Sequence, residues 1–426
     1  MGSERKRVSQ GGDATARAPE LVLVGVNHRT CPLDRREVLL RRATYPRLRA
    51  AGGPSPPWTD LVLLATCNRI EVYGATARPS EAAQTIRKAL EIPDASSAVY
   101  VLTGADAAAH LLRVAAGLDS LAQGEAQVAA QVRRAPVLRP KTWRRSALLA
   151  DLLEAAAREA PRIRTLAGLN GKDISASHAA LRFMDASVPV TRPTIALLGT
   201  GKMARIAAGS LRGRARILVA NRDAHRAREV AQGLGGQAYG LDELDAVLGD
   251  ADVVLAATAT RKPIVSRSRL QRVLRRRTER PIWFIDLGFP RNIDAACRDL
   301  PGVTLVDIDA LAPWGAQPLP PGALAKAESR IHTEAERLVR MLHPASAADI
   351  VALRKTAEEI RRREVDEALA RLPALSESDR AVVDKLATRL VNRFLHGPTE
   401  RLRSFPESTR VEIVQELLRG MGGTPR

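Results

Sequence analysis

Aromatic side chains are scarce in this chain: five Phe, four Tyr and four Trp make up 3% of 426 residues. That scarcity argues against the RNA-binding modules that stack bases on aromatic platforms. Cysteine is scarcer still. Three residues, an odd number in a long chain, argue against a disulfide framework and fit a reducing compartment, so a cytoplasmic location is expected. No apolar run approaches the ~20 residues needed to span a bilayer, so no membrane association is expected. The opening MGSERKRVSQGGDATARAPE has no apolar segment of the kind a secretory signal carries, and residues 1–19 read as a disordered basic arm. No His, Cys and Asp spacing resembles a metal site, and no metal is expected.

Acidic residues are also in deficit, 47 against 66 basic ones, for a net charge of +19. Such a field attracts polyanions, RNA among them. The excess is mostly Arg in a chain rich in Ala and Pro, a pattern that genomic base composition can produce unaided, so charge alone leaves nucleic-acid contact open. With 45% hydrophobic and 27% charged residues the chain reads as soluble and globular, long enough for roughly two to four domains.

Three regions separate, and together they give an α/β class. Residues 20–165 mix strands and helices: LVLVGVNH (21–28) and LVLLAT (61–66) read as buried strands, and 107–132 has helical spacing interrupted at Gly117 and Gly124. Residues 166–320 alternate strand-like runs at 194–199, 216–221, 252–258, 283–288 and 303–309 with helical stretches, the rhythm of a doubly wound parallel sheet. Residues 321–426 are helical throughout. Ile331, Ala335, Leu338, Val339 and Leu342 keep a 3.6 period, and Val383, Leu386, Leu390, Val391 and Phe394 form a second apolar set. An apolar stripe on a charged helix must be buried against something, and a partner subunit is the favoured cover.

Chemistry concentrates in two places. GTGKMA, residues Gly199, Thr200, Gly201, Lys202, Met203 and Ala204, follows the strand TIALL and opens a helix, the context in which a G-x-G-x-x-G/A pattern binds a dinucleotide. Gly199 permits the tight turn, Gly201 lets the backbone approach a pyrophosphate, and Ala204 lets the helix pack close to the sheet. The next strand ends in Asn221 and Arg222 where an NAD site carries an acid, so NADPH is expected over NADH, with Asp223 standing close by. The other place is LVLLATCNRIEVYG (61–74), an apolar run that ends in Thr66, Cys67, Asn68 and Arg69. Cys67 is either a small core residue at a strand end or a nucleophile whose thiolate a neighbouring cation favours. Set beside a reducing cofactor, it can be acylated and present a thioester carbonyl to hydride.

Several blocks, in order, resemble the glutamyl-tRNA reductase family: GVNHRTCPLDRRE (25–37), ATCNRIEVY (65–73), HLLRVAAGLDSLAQGEAQVAAQV (110–132), FIDLGFPRNID (284–294), VDIDAL (306–311) and LVNRFLHGPTERLR (390–403). The resemblance implies an α+β catalytic domain over 20–165 that binds glutamyl-tRNA(Glu). It further implies a Rossmann NADP(H)-binding domain over 166–320 and an all-helical linker and dimerisation domain over 321–426. It makes Cys67 the catalytic nucleophile and His110 a second catalytic residue. Thr66, Asn68, Arg69, Ser120, Glu125, Ala126, Gln127 and Gln131 would then line the glutamate pocket. Residues 199–204, with Asn221 and Arg222, would hold NADPH. The implied reaction reduces glutamyl-tRNA to glutamate-1-semialdehyde, the entry to 5-aminolevulinate and tetrapyrroles, in a homodimer, and it raises glutamate-1-semialdehyde aminomutase as a partner. His28, Cys31 and Cys297 are expected to be structural. Two other readings stay open: a reductase-like regulator without turnover, and an NADP-dependent reductase of a different acyl donor.

Overall fold

The computed structural model describes residues 19–93, 95–125, 127–140, 148–169, 175–211, 213–277, 280–316, 319–342 and 347–404. Residues 1–18 of the N-terminal arm and the pocket position Ala126 lie outside them. Among the described residues ten strands form two sheets. In the first, β1 (Glu20–Asn27), β2 (Asp60–Ala65), β3 (Arg69–Thr76) and β4 (Tyr100–Thr103) run in the order β2-β3-β1-β4, with every pair antiparallel. Strand alternation divides their side chains between two cores. Leu21, Leu23, Val62, Leu64, Tyr73 and Ala75 face one, and Val22, Val24, Leu61, Ile70 and Val72 face the other. Helices cover both faces, which is why β1 reads as one apolar run instead of an apolar–polar alternation. The strand β3 hides behind the polar turn that precedes it, and β4 is too short and too exposed to stand out in the sequence.

In the second sheet, β5 (Thr194–Leu198), β6 (Arg216–Asn221), β7 (Gln237–Gly240), β8 (Val253–Ala256), β9 (Ile282–Asp286) and β10 (Val303–Asp307) are all parallel. Their order is β10-β9-β8-β5-β6-β7. The chain reverses its direction of growth between β5 and β8, and the crevice beyond the carboxyl ends of those two strands is where such sheets take ligands. The short, half-exposed β7 is the strand that apolar pattern alone overlooks.

The helix Ala323–Arg340 corrects one expectation. Its stripe of Ala327, Ile331, Ala335 and Leu338 is covered not by a partner subunit but by this chain's own first unit. There it shares a core with Leu111, Leu112 and Ala115 of helix Gly104–Ala115 and with Leu152, Ala156 and Ala160 of helix Leu148–Leu166. Ion pairs flank the seam: Arg113 Nη2 lies 2.6 Å from Glu328, and Arg330 Nε 2.7 Å from Glu159. Each half-exposed pair contributes ~1 kcal/mol or less, whereas each large apolar side chain buried contributes ~1.5–3 kcal/mol. Packing holds the helix and the pairs set its register. Helix Leu148–Leu166 continues through Pro161 without interruption. The last two described helices, Ala347–Ala370 and Glu377–Ser404, pair with each other and leave Val382, Leu386, Leu390 and Phe394 exposed. Among the described residues no helix is long and apolar enough to cross a membrane.

Candidate active site

The tight turn between β2 and β3 is closed by Thr66 N–H donating to Arg69 O at 2.8 Å and by Asn68 N–H donating to Thr66 Oγ1 at 3.2 Å. Cys67 sits at its tip, half-buried, against an apolar cluster that belongs mainly to the second unit. Leu33 and Leu121 from the first unit enter the same cluster beside Val306, Ile308 and Leu311. The thiol therefore lies at the junction of the two units. Burial pushes it up to about 12, and the Glu125 carboxylate adds to that, while Arg36 and Arg69 oppose them. The activation expected from Arg69 does not prevail in this state.

The reason is where the Arg69 guanidinium goes. It is only 1% exposed, and Nη1 lies 2.9 Å from both Glu71 Oε1 and Asp119 Oδ2. Two carboxylates absorb its charge. Glu71 is the centre of this network: it accepts from Tyr73 Oη and Tyr100 Oη, each at 2.7 Å, and meets His110 Nε2 at 2.7 Å. Burial alone would raise the Glu71 carboxyl, but Arg69 and His110 outweigh it and hold the group well below the usual carboxylate range. The cross-strand neighbour of Glu71 is Gly25, where a Cβ would stand 2.7 Å from Glu71 Cγ and 3.0 Å from the Tyr100 ring. Only a glycine leaves that passage open.

A second group of polar atoms around the turn is not satisfied. Among the described residues Asn68 Oδ1, Ser120 Oγ and His28 Nδ1 are buried without a hydrogen-bond partner. His28 N–H donates to Asn68 O at 2.8 Å, and Ser120 follows Asp119, which lies 3.2 Å from Asn27 Nδ2 and pairs with Arg69. Burial pushes His28 down to about 4 although Asp119 pulls upward, so its imidazole is neutral near pH 7. The loop carrying Ser120 and Glu125 folds back on itself: Gly117 has φ +72°, and a Cβ there would meet the Glu125 backbone at 2.9 Å. Glu125 is buried, Gln127 is half-buried, and Gln131 is exposed one turn further along helix Gln127–Arg134, apart from the buried group.

At the nucleotide crevice Gly199 has φ +110°, and a Cβ there would lie 2.7 Å from Ala257 O. Thr200 Oγ1 accepts from Asn221 Nδ2 at 2.5 Å, tying the loop to the end of β6. Ala204 is fully buried on the first turn of helix Lys202–Leu211; the side chains of Lys202 and Met203 lie outside the described set. The carboxylate of Asp223 caps helix Ala224–Leu234, accepting from His225 N at 3.0 Å and Arg226 N at 3.2 Å. It is engaged locally and does not reach inward. Arg222 is exposed and has no ion pair among the described residues. A strand end that keeps a free guanidinium and turns its acid to capping suits a ribose 2′-phosphate.

Comparison with known proteins accords with this layout. Residues 24–167 match the model of the glutamyl-tRNA(Glu) reductase N-terminal domain, 183–313 that of shikimate/quinate 5-dehydrogenase, and 326–420 that of the glutamyl-tRNA(Glu) reductase dimerisation domain. The glutamyl-tRNA reductase of Syntrophotalea carbinolica is 32% identical over 93% of this chain and 93% of its own. The chain belongs to the glutamyl-tRNA reductase family. The family enzyme from Moorella thermoacetica is 35% identical, covering 93% of this chain and 94% of its own. The structure of the Methanopyrus kandleri glutamyl-tRNA reductase is 26% identical, with a TM-score of 0.36 over 94% of this chain and 98% of that one. As a member of the glutamyl-tRNA reductase family the chain is an oxidoreductase, with a Rossmann nucleotide-binding unit and a dimerisation domain.

Sequence reading of this glutamyl-tRNA reductase family member missed Glu71, Tyr73, Tyr100 and Asp119, which place Arg69 and His110. One signal was available: a glutamate inside the otherwise apolar IEVY, on a strand whose neighbour carries a glycine.

Proposed function

We propose that the chain reduces glutamyl-tRNA(Glu) with NADPH, releasing tRNA and forming glutamate-1-semialdehyde through a thioester on Cys67. The observation that carries this is the set of buried, unpartnered polar atoms on His28, Asn68 and Ser120 around a thiol at the junction of the two units. Buried polar groups without partners are costly, about 1–3 kcal/mol each, and a bound polar ligand relieves that cost. A glutamyl group has the matching chemistry, with an α-ammonium and a γ-carboxylate flanking the acyl carbon.

The raised thiol suits a nucleophile that its substrate activates. Burial and, after it, Glu125 hold the Cys67 thiol up; an α-ammonium docked beside Glu125 cancels the second contribution, so that Arg36 and Arg69 oppose burial alone. Sγ then bonds to the acyl carbon, the ester C–O bond breaks, and the thiol proton leaves on the released ribose hydroxyl. NADPH, when bound, supplies hydride to the thioester carbonyl. The C–S bond breaks, the aldehyde departs, and the high proton affinity of Cys67 returns Sγ to the thiol by uptake of one solvent proton. In this reading His110, whose Nε2 meets Glu71 at 2.7 Å, orients or polarises the acyl oxygen.

On this reading residues 20–165 bind the glutamyl group and 166–320 the cofactor. Residues 321–426 link the units and pair two copies into a homodimer, and glutamate-1-semialdehyde aminomutase receives the product. Three free cysteines fit the cytoplasm. Cys67→Ser is expected to abolish glutamyl-tRNA-dependent NADPH oxidation while NADPH binding persists. Mass spectrometry of the unaltered protein without cofactor should find a glutamyl adduct on Cys67. Near-normal turnover by the serine variant would refute the thioester route.

A further inference from the structure

Arg36 is the most deeply buried cation in the described chain, with 0% exposure on the helix Leu33–Arg42. Its planar fork reaches three groups. Nε donates to Cys31 O at 3.1 Å, Nη1 donates to the backbone carbonyl of Cys67, and Nη2 donates to the Asp309 carboxylate. The Phe289 ring lies beside it, its centroid 5.8 Å from Cζ. Cys31 and Cys67 belong to the first unit, while Phe289 and Asp309 belong to the second. One rigid cation therefore joins the backbone of the candidate nucleophile to the cofactor-binding unit.

The same helix is docked at two more points. Arg291 N–H donates to Glu37 Oε1 at 2.6 Å, and the Arg291 guanidinium pairs with Asp34. Leu33 inserts into the apolar cluster of the second unit. Asp309 is the one carboxylate that pairs with Arg36 among the described residues. If the second unit moves away, Arg36 is left as a buried charge without its counter-ion, a costly state. Docking of the unit and restraint of the Cys67 carbonyl thus rise and fall together.

We propose that Arg36 is a positioning residue: through Asp309 it couples the seating of the cofactor-binding unit to the aim of the acylated Cys67. The proposal rests on the thioester reading above and deepens it. Acylation uses groups of the first unit alone, so it does not need the coupling. Reduction needs an acyl carbon in the first unit and a cofactor in the second to meet, and a misplacement of about 1 Å there costs on the order of a hundredfold. A lysine cannot substitute, since its single ammonium cannot hold a carbonyl and a carboxylate in one fixed plane.

The test separates the two half-reactions in the full-length protein. Acyl-Cys67 is formed from glutamyl-tRNA without cofactor and quantified by mass spectrometry; NADPH is then added and the decay of the adduct is followed in a single turnover. Asp309→Asn is expected to acylate at close to the parent rate and to reduce the adduct at least about tenfold more slowly. Binding of NADPH, read by its fluorescence, should be unchanged, and Asp309→Glu should recover most of the reduction rate. Asp309→Asn decides the matter, because its side chain is partly exposed and the amide keeps its shape. Equal slowing of acylation and reduction, or parent-like reduction by Asp309→Asn, would overturn the coupling. Absence of any adduct in the unaltered protein would overturn the thioester reading and this inference with it.

Discussion

Glu71 and His28 show how single residues set the pH response. Glu71 is ionised among Arg69, His110 and two tyrosine hydroxyls, and its carboxyl is held below its unfolded value. A depressed carboxyl stabilises the fold above its unfolded pKa and loses that contribution as pH falls through the folded one, so this loss begins below about pH 4.5. His28 acts in a higher window. Its value falls from 6.5 to about 4, so the unfolded chain takes up a proton there that the folded chain refuses, and stability drops as pH falls from 6.5 toward 4. Urea denaturation of His28→Gln should therefore show a flatter profile across that window, with the acid limb below it unchanged. Glu71→Gln should lose ~3–5 kcal/mol at neutral pH, because it strands Arg69 as a buried charge with one carboxylate fewer. A loss under 1 kcal/mol would show that water reaches the network.

At the scale of elements, the loops and helix ends decide specificity while the packed faces decide stability. The end of β6 gives a clear case, with Arg222 free and Asp223 spent on a helix cap. Arg222→Asp should raise the KM for NADPH by roughly 10–100-fold and leave that for NADH nearly unchanged, as expected when a charge-assisted phosphate contact is removed. An equal effect on both cofactors would place Arg222 elsewhere. The helix Ala323–Arg340 gives the packing case. Leu338→Ala should destabilise by ~2–5 kcal/mol, with the transition of the first unit shifting alongside it, because the two share one core.

These elements also show what pattern can and cannot disclose. The strands β1, β2, β5, β6 and β9 were legible because burial on both faces makes them continuous apolar runs. The helical break at Gly117 and Gly124 was legible because both glycines adopt positive φ. The cover of the Ala323–Arg340 stripe was not, since a helical period reports that a face is apolar and says nothing of what lies on it. The state of Cys67 was not legible either. A cation two residues away in sequence promised a low pKa, but Arg69 turns to Glu71 and Asp119, contacts that depend on a strand register and on a loop some fifty residues distant.

For the whole molecule, the outstanding feature is an apolar row that no other described residue covers. Val382, Leu386, Leu390 and Phe394 recur every four residues along helix Glu377–Ser404, and Phe394 is 77% exposed. Residues at i±4 form a ridge, the feature that fits the groove of a second helix. The row borders an apolar cleft: about 440 Å³ between this helix and Ala347–Ala370 is lined by Ala357, Ile360, Val383 and Val391 together with Leu390 and Phe394 of the row itself. Row and cleft form one apolar face within the segment that matches a dimerisation domain, so two copies related by a twofold axis can bury that face against each other. Leu390→Asp combined with Phe394→Asp should shift the sedimenting species from twice 46.0 kDa to 46.0 kDa, and helix content by circular dichroism should hold because the altered side chains face outward. A variant that still sediments as a dimer would move the interface off this ridge. Cys67 acylation should survive in the monomer, since every group placed around the thiol comes from one chain.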